Sequence, residues 1–183
     1  MRTTTNVSRS GPRRNKRILL WASVLAMVWL AAASRVYVNA SWSDGAWGYL
    51  VLPLPGAPQR GDAVLFDPPE AADSPIPYLK TVRGLPGDPV SVDGGRRVSV
   101  KGVVLGVAKT RARDGRALEM AAPGVIPPGH YYVHADHADS HDSRYAEIGL
   151  VPRERIRGRA LALPALPWLG LDGPLAEPVE ARP

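Results

Sequence analysis

Lys80 lies in Tyr78-Leu79-Lys80-Thr81-Val82-Arg83-Gly84-Leu85-Pro86-Gly87-Asp88, near the end of an apolar strand and just before a Gly-Leu-Pro-Gly turn. A lysine in such surroundings is poorly solvated. Desolvation disfavours the ammonium and makes a neutral amine available as a general base. A base is useful only beside a nucleophile, and Ser41-Trp42-Ser43 offers two hydroxyls of that kind. A hydroxyl activated by a neutral amine is a route to acyl transfer.

These residues need elements to position them. Residues 18–34 are uncharged and mainly apolar. At about 1.5 Å per residue this run is slightly short of a ~30 Å hydrocarbon core. Extension through Val36, Tyr37 and Val38 closes the gap, with Arg35 snorkelling. The sequence thus predicts a basic cytoplasmic segment over 1–17, one N-terminal transmembrane helix over 18–38, an exported domain over 39–163 and a Pro/Ala-rich tail over 164–183. A cleaved secretory peptide is the alternative reading of the apolar run, with Ala31-Ala32-Ala33-Ser34 at the cut. A serine, a lysine and an anchor together suggest a protease that cuts at the membrane surface.

The formal net charge of +6 would suit a nucleic-acid binder, but its distribution argues against one. Arg2, Arg9, Arg13, Arg14, Lys16 and Arg17 precede every acidic residue of the chain. The other 17 basic residues balance the 17 acids, so the excess lies wholly in the first 17 positions. Basic residues before an apolar run predict a cytoplasmic N-terminus and an exported C-terminal domain. There is no cysteine, so stability must come from packing rather than disulfides.

Beyond residue 38 the pattern is mainly β. Strands are predicted at Ala63–Phe66, His130–His134 and Arg155–Leu163. A hairpin over Val90–Val100 turns at Asp93-Gly94-Gly95 and offers Val90, Val92, Val98 and Val100 to one face. Nineteen prolines and eighteen glycines fit many short strands and turns. Residues 71–77 read as a polar loop, 110–124 as a flexible excursion and 164–183 as a loosely held tail.

His130, His134, His137 and His141 are interleaved with Asp136, Asp139 and Asp142. These residue types can bind zinc. The segment reads as strand and turn, however, so i to i+4 spacing does not gather them on one face, and no metal or other cofactor is assigned.

The order of motifs is specific. An apolar run is followed by Asn39-Ala40-Ser41-Trp42-Ser43, Arg60-Gly61-Asp62-Ala63-Val64, Lys80 with Leu85-Pro86-Gly87-Asp88, and Asp139-Ser140-His141-Asp142-Ser143-Arg144. Together they resemble the signal peptidase I family of membrane-anchored Ser/Lys proteases, most of all its TraF-type conjugative-transfer branch. The resemblance spans about residues 38–163 and implies a signal-peptidase-like β-fold.

It also implies Ser43 as nucleophile and Lys80 as base, with the Ser41 hydroxyl and the Ser43 N–H forming the oxyanion hole. Asn39 and Tyr49 support that register. Gly45 and Trp47 depart from the branch's proline and glycine, and a shifted frame would make Ser41 the nucleophile. Ser140 is expected to hydrogen-bond and orient Lys80. Asp142 is expected to pair with Arg144, because a carboxylate against the lysine would favour its charged form.

The implied activity is removal of leader sequences from translocated, pilin-like precursors by a single-pass enzyme of the bacterial inner membrane. Its catalytic domain would be periplasmic and its helix would contact lipid. Release by water or by an amine of the substrate, which would cyclise it, stays open. The alternatives are a general type I leader peptidase and a non-catalytic anchored β-domain of a secretion or conjugation apparatus.

Overall fold

The computed structural model describes residues 12–39, 45–69 and 75–175. The chain divides into two compact units, Met1–Val36 and Tyr37–Pro183.

The first unit contains helix α1, Pro12–Ala33. Its exposed side chains include Leu19, Leu20, Trp21, Leu25 and Trp29. The expected transmembrane helix over 18–38 is not supported by the described residues. Among the described residues no helix is long and apolar enough to cross a membrane. Arg13, Arg14, Lys16 and Arg17 fall within α1, so its uncharged part begins at Ile18 and ends with the helix at Ala33. That part measures about 24 Å at about 1.5 Å per residue, short of a ~30 Å hydrocarbon core. Residues Val36–Val38, which the longer anchor required, form strand β1 instead.

The second unit is built from two sheets. The strands that follow are β2 (Gly48–Leu52), β3 (Ala63–Phe66), β4 (Tyr78–Gly84), β5 (Pro89–Val92), β6 (Arg97–Val100), β7 (Val103–Val107), β8 (Gly124–Val125), β9 (His130–His134), β10 (Val151–Pro152) and β11 (Ile156–Ala162). The larger sheet has the order β1-β2-β11-β3-β4-β9-β10, and the smaller β7-β6-β5-β8.

Alternation along β3 explains two of the cores. Val64 and Phe66 join Val82, Tyr131, Val133 and Ile156 in one cluster. Leu65, between them in sequence, packs with Tyr49, Val51 and Ala160 in another. This is the two-residue period of a strand buried on both faces. A third core gathers Val90, Val98 and Val100 of the hairpin with Ile126, Tyr132 and Tyr145, and Val92 packs against it.

The Leu85–Asp88 turn joins β4 to β5, and its residues have legible structural work. Asp88 N–H donates to the Leu85 carbonyl at 3.0 Å, and Gly87 has φ +88°. Proline followed by a glycine at positive φ suits a type II turn. The Asp88 carboxylate accepts from Leu85 N–H at 2.7 Å and from Arg60 Nη2 at 2.5 Å. Burial alone would raise the Asp88 pKa; the Leu85 N–H and the Arg60 guanidinium outweigh it and hold it low. Asp62, in the motif before β3, accepts from Gln59 N–H at 2.9 Å and is bridged by Arg159 of β11.

Gly84 is required for close approach. A Cβ there would lie 2.5 Å from Ile126 Cδ1, 2.8 Å from Tyr132 Cβ and 2.9 Å from Val100 Cγ1. Gly84→Ala is therefore expected to destabilise the domain by about 1–3 kcal/mol through overpacking. Urea unfolding of wild type and variant measures the difference.

Two expectations about irregular segments are corrected. Residues 110–124 are not a free excursion, because Leu118 N–H donates to Thr110 O at 2.9 Å and Ala121 N–H to Arg144 O at 2.9 Å. Nor is the described part of the tail loosely held. Trp47 Nε1 donates to Pro164 O at 2.9 Å, and Leu175 N–H to Asn39 O at 3.1 Å. Hydrogen bonds between loop residues, invisible in composition, supply that order. Residues 71–74 of the expected polar loop and 176–183 of the tail lie outside the described residues.

Candidate active site

Lys80 occupies the middle of β4. It pairs in register with Val64 of β3, one residue from the Leu65–Leu79 pair. Cross-strand partners share a face, so Lys80 lies on the side that carries Val64 and Val82. It is 6% exposed. A buried lysine is uncommon, and here strand register dictates it.

Ser41 and Ser43, with the nucleophile and oxyanion roles expected of them, lie outside the described residues. The residues on either side of them are described. Asn39 N–H donates to Trp47 O at 2.9 Å, and the Asn39 side-chain amide donates to Ala46 O at 2.7 Å. An asparagine suits this position because one residue binds Ala46 and Trp47 with both its side chain and its backbone. Two residues on, Tyr49 in β2 reaches a cavity of about 220 Å³ lined also by Ala63, Leu79, Lys80, Thr81 and Asp136. The fold thus brings the end of the serine segment and the lysine strand to one cavity, although β11 and β3 separate β2 from β4 in the sheet.

The third motif folds as a buried turn after β9. Arg144 grips Asp142 with two parallel bonds, Nε to Oδ1 at 2.8 Å and Nη2 to Oδ2 at 3.0 Å. The fork of the guanidinium matches the carboxylate. Asp142 is 0% and Arg144 3% exposed. Burial pushes the Asp142 pKa up, but hydrogen bonds from His134 and Arg144 outweigh that and lower it to about 2. Burial likewise pulls the Arg144 guanidinium down, and Asp142 holds it above its ordinary value. Ser143 fastens the turn to β9: its N–H donates to Val133 O and its Oγ accepts from Val133 N–H, both at 3.0 Å.

The lysine-orienting contact expected of Ser140 is not formed. Ser140 is 4% exposed, and its hydroxyl has no hydrogen-bond partner among the described residues. Its backbone fixes it elsewhere, with the N–H on His137 O at 3.0 Å and the carbonyl on Arg144 Nη2 at 3.0 Å. It lines a second cavity, whose wall does not include Lys80.

His134, weighed in the sequence only as a metal ligand, faces Asp142 instead. It is 1% exposed, with Nδ1 2.9 Å from Asp142 Oδ2 and Nε2 3.7 Å from Asp136 Oδ1. The available signal was its place in β9, two residues after the buried Tyr132 and on the same face. The other histidines disperse. His130 Nδ1 lies 3.1 Å from Pro128 O, His137 Nδ1 accepts from Asp139 N–H, and His141 stacks on Tyr145 at 5.3 Å. Among the described residues no group of three or more histidines and carboxylates is placed to hold a metal ion.

The fold and the site define a class, a mainly β domain with a lysine buried in an inner strand of its larger sheet. The chain belongs to the signal peptidase family, peptidase S26, whose profile matches residues 15–164. It is similar to a signal peptidase I of Pseudomonas fluorescens, 31% identical over 153 residues that cover 65% of this chain and 52% of that protein. It is also similar to the conjugal transfer protein TraF of Agrobacterium fabrum strain C58. There the identity is 30% over 162 residues, covering 78% of this chain and 87% of that protein. The chain thus spans about half the length of the Pseudomonas protein and most of the Agrobacterium one. Among solved structures, a signal peptidase I of Enterococcus faecalis V583 matches 60% of this chain and 98% of its own, at 24% identity and TM-score 0.37.

Proposed function

We propose that this protein is a serine endopeptidase that removes leader sequences from exported precursors, and that its particular substrate is a conjugative pilin precursor. The observation that carries the proposal is a lysine, Lys80, buried in strand β4 of a chain that belongs to the signal peptidase family. Lys80, as the free amine, takes the hydroxyl proton of Ser43 while that oxygen attacks the scissile carbonyl. The Ser43 N–H and the Ser41 hydroxyl stabilise the oxyanion. The leaving amine departs with a proton and leaves an acyl-enzyme on Ser43. Water then releases a free acid, or an amine of the substrate releases a cyclic product. The pilin reading is supported by the box Asn39-x-Ser41-x-Ser43 with Tyr49, and by the similarity to a conjugal transfer protein. Exposed apolar side chains on α1 support attachment to a membrane surface, with the catalytic unit on the exported side.

Mass spectrometry of a pilin precursor co-expressed with the protein tests the reading. A new terminus at one site, with or without the mass of water, supports it, and an unprocessed precursor overturns it. In the same assay Ser43→Ala is expected to abolish processing. Ser41→Ala is expected to leave a residual rate reduced about 10²–10³-fold, the usual cost of one oxyanion donor. If Ser41→Ala is the null variant and Ser43→Ala retains activity, the nucleophile is Ser41. Undiminished maturation by both variants would leave a non-catalytic β-domain.

A further inference from the structure

The cavity that Ser140 lines lies outside the proposed catalytic machinery. It measures about 280 Å³ and is lined by Lys109, Arg111, Arg113 and Arg116 against the carboxylates Asp114 and Asp139. The internal ion pairs leave the cations in excess. Asp139 is shared by Lys109 and by Arg113, the latter at 2.9 Å. Arg116 pairs with Glu147 at 2.7 Å. Arg111 Nη1 donates to the Gly115 carbonyl at 2.9 Å and forms no ion pair among the described residues.

The wall is built rather than incidental. Leu118 N–H on Thr110 O and Ala112 N–H on Arg116 O, both 2.9 Å, close the 110–118 segment on itself. Arg96, held at φ +60°, donates from Nε to Ala108 O at 2.7 Å and from Nη2 to Lys109 O at 2.9 Å. Tyr145 OH accepts from Lys109 N–H at 3.1 Å, which ties the segment to the Asp142–Arg144 turn. The cations are therefore carried on backbone that is fixed before any ligand arrives, which lowers the ordering cost of binding.

We propose that this cleft is an exosite for an acidic segment of the precursor peptide. The inference rests on the peptidase reading for the identity of its ligand. Arg111 and Arg113 present guanidinium forks suited to carboxylates. Leu118 and Tyr145 supply apolar wall for the methylenes of a glutamate side chain. The buried Ser140 hydroxyl gains an acceptor when a carboxylate oxygen reaches it. Asp114 and Asp139 reduce the local field, which favours singly charged carboxylates over dianionic phosphate. The cleft adjoins the turn after β9, so a peptide held here is tethered close to the unit that cuts it.

Fluorescence anisotropy of labelled hexaglutamate with the full chain tests the exosite, with hexaglutamine and inorganic phosphate as comparison probes. Hexaglutamate is expected to bind, more weakly as salt rises, and hexaglutamine not to bind. The double variant Arg111→Gln/Arg113→Gln is expected to weaken binding about tenfold or more, the effect of losing charge-assisted hydrogen bonds. Arg97→Gln, which removes a charge from the β5–β6 hairpin, is expected to change it less than twofold. The proposal is overturned if hexaglutamate does not bind, if both variants weaken it equally, or if phosphate at equal concentration displaces it. Binding does not require turnover. Repeating the measurement on Ser43→Ala separates failure of the exosite from failure of the peptidase reading.

Discussion

Lys80→Met is expected to lower precursor cleavage by about 10²–10⁴-fold, the range a positioned general base contributes. Methionine retains most of the buried aliphatic stem, so the folded state should persist. Lys80 sits against Val64 in register and shares its face with Val82, surroundings in which a thioether packs without a polar demand. Lys80→Arg is the sharper variant. A guanidinium keeps the positive charge but cannot lose its proton in a protein, so it supplies no base. It should be as inactive as Lys80→Met. Single-turnover cleavage of a precursor peptide, with circular dichroism as a control for folding, measures both. Activity in Lys80→Arg within tenfold of wild type would mean that the lysine serves as a charge and not as a base.

The second large effect concerns stability. Asp142→Ala leaves Arg144 buried without its counter-charge and removes the group that His134 faces. Breaking a buried pair from one side costs about 3–5 kcal/mol, a large share of the ~5–15 kcal/mol that holds a typical domain together. The same carboxylate sets a pH dependence. Its folded pKa, about 2, lies below its ordinary value of 3.8. A depressed carboxylate stabilises the folded state fully above the ordinary value, and that contribution is lost as pH falls toward the folded one. The shift corresponds to about 2 kcal/mol. Wild-type stability should thus fall between about pH 4 and pH 2 by an amount that Asp142→Asn does not show. Chemical denaturation across that window, on both proteins, compares the slopes. Equal slopes would mean that the pair does not couple to protons.

Particular residues show how far the chain could be read in advance. The alternation in Val90–Val92 and Val98–Val100 announced a hairpin, and β5 and β6 pair there in register. The short strands β8 and β10 were not foreseen, because two residues carry no periodicity. They exist through their partners, Gly124 opposite Val90 and Val151 opposite Tyr131. The 110–124 segment looked mobile because it is polar, yet its order comes from hydrogen bonds to residues far along the chain. Helix α1 contains the apolar run, but it starts within the basic segment at Pro12 and ends at Ala33 rather than running on to Val38. Val36–Val38 suit a strand as well as a helix, and in the fold they are a strand.

The third motif divides in the same way. Asp142 and Arg144, two residues apart, were expected to pair, and opposite charges on a short turn can hardly avoid each other. Whether Ser140 faces the lysine or the Lys109–Arg116 cleft depends on how that distant segment packs against its turn, and no local pattern encodes that. The chain alone determined the residue types, the strand that buries Lys80 and the glycine and proline that turn it, because these follow from side-chain volume and backbone sterics within a few residues. Tertiary structure decided what lies beside that lysine, which cavity Ser140 lines and where the excess guanidinium groups collect. Such contacts join segments as much as 110 residues apart or more, such as Trp47 and Pro164, and their geometry exists only once the sheets have closed.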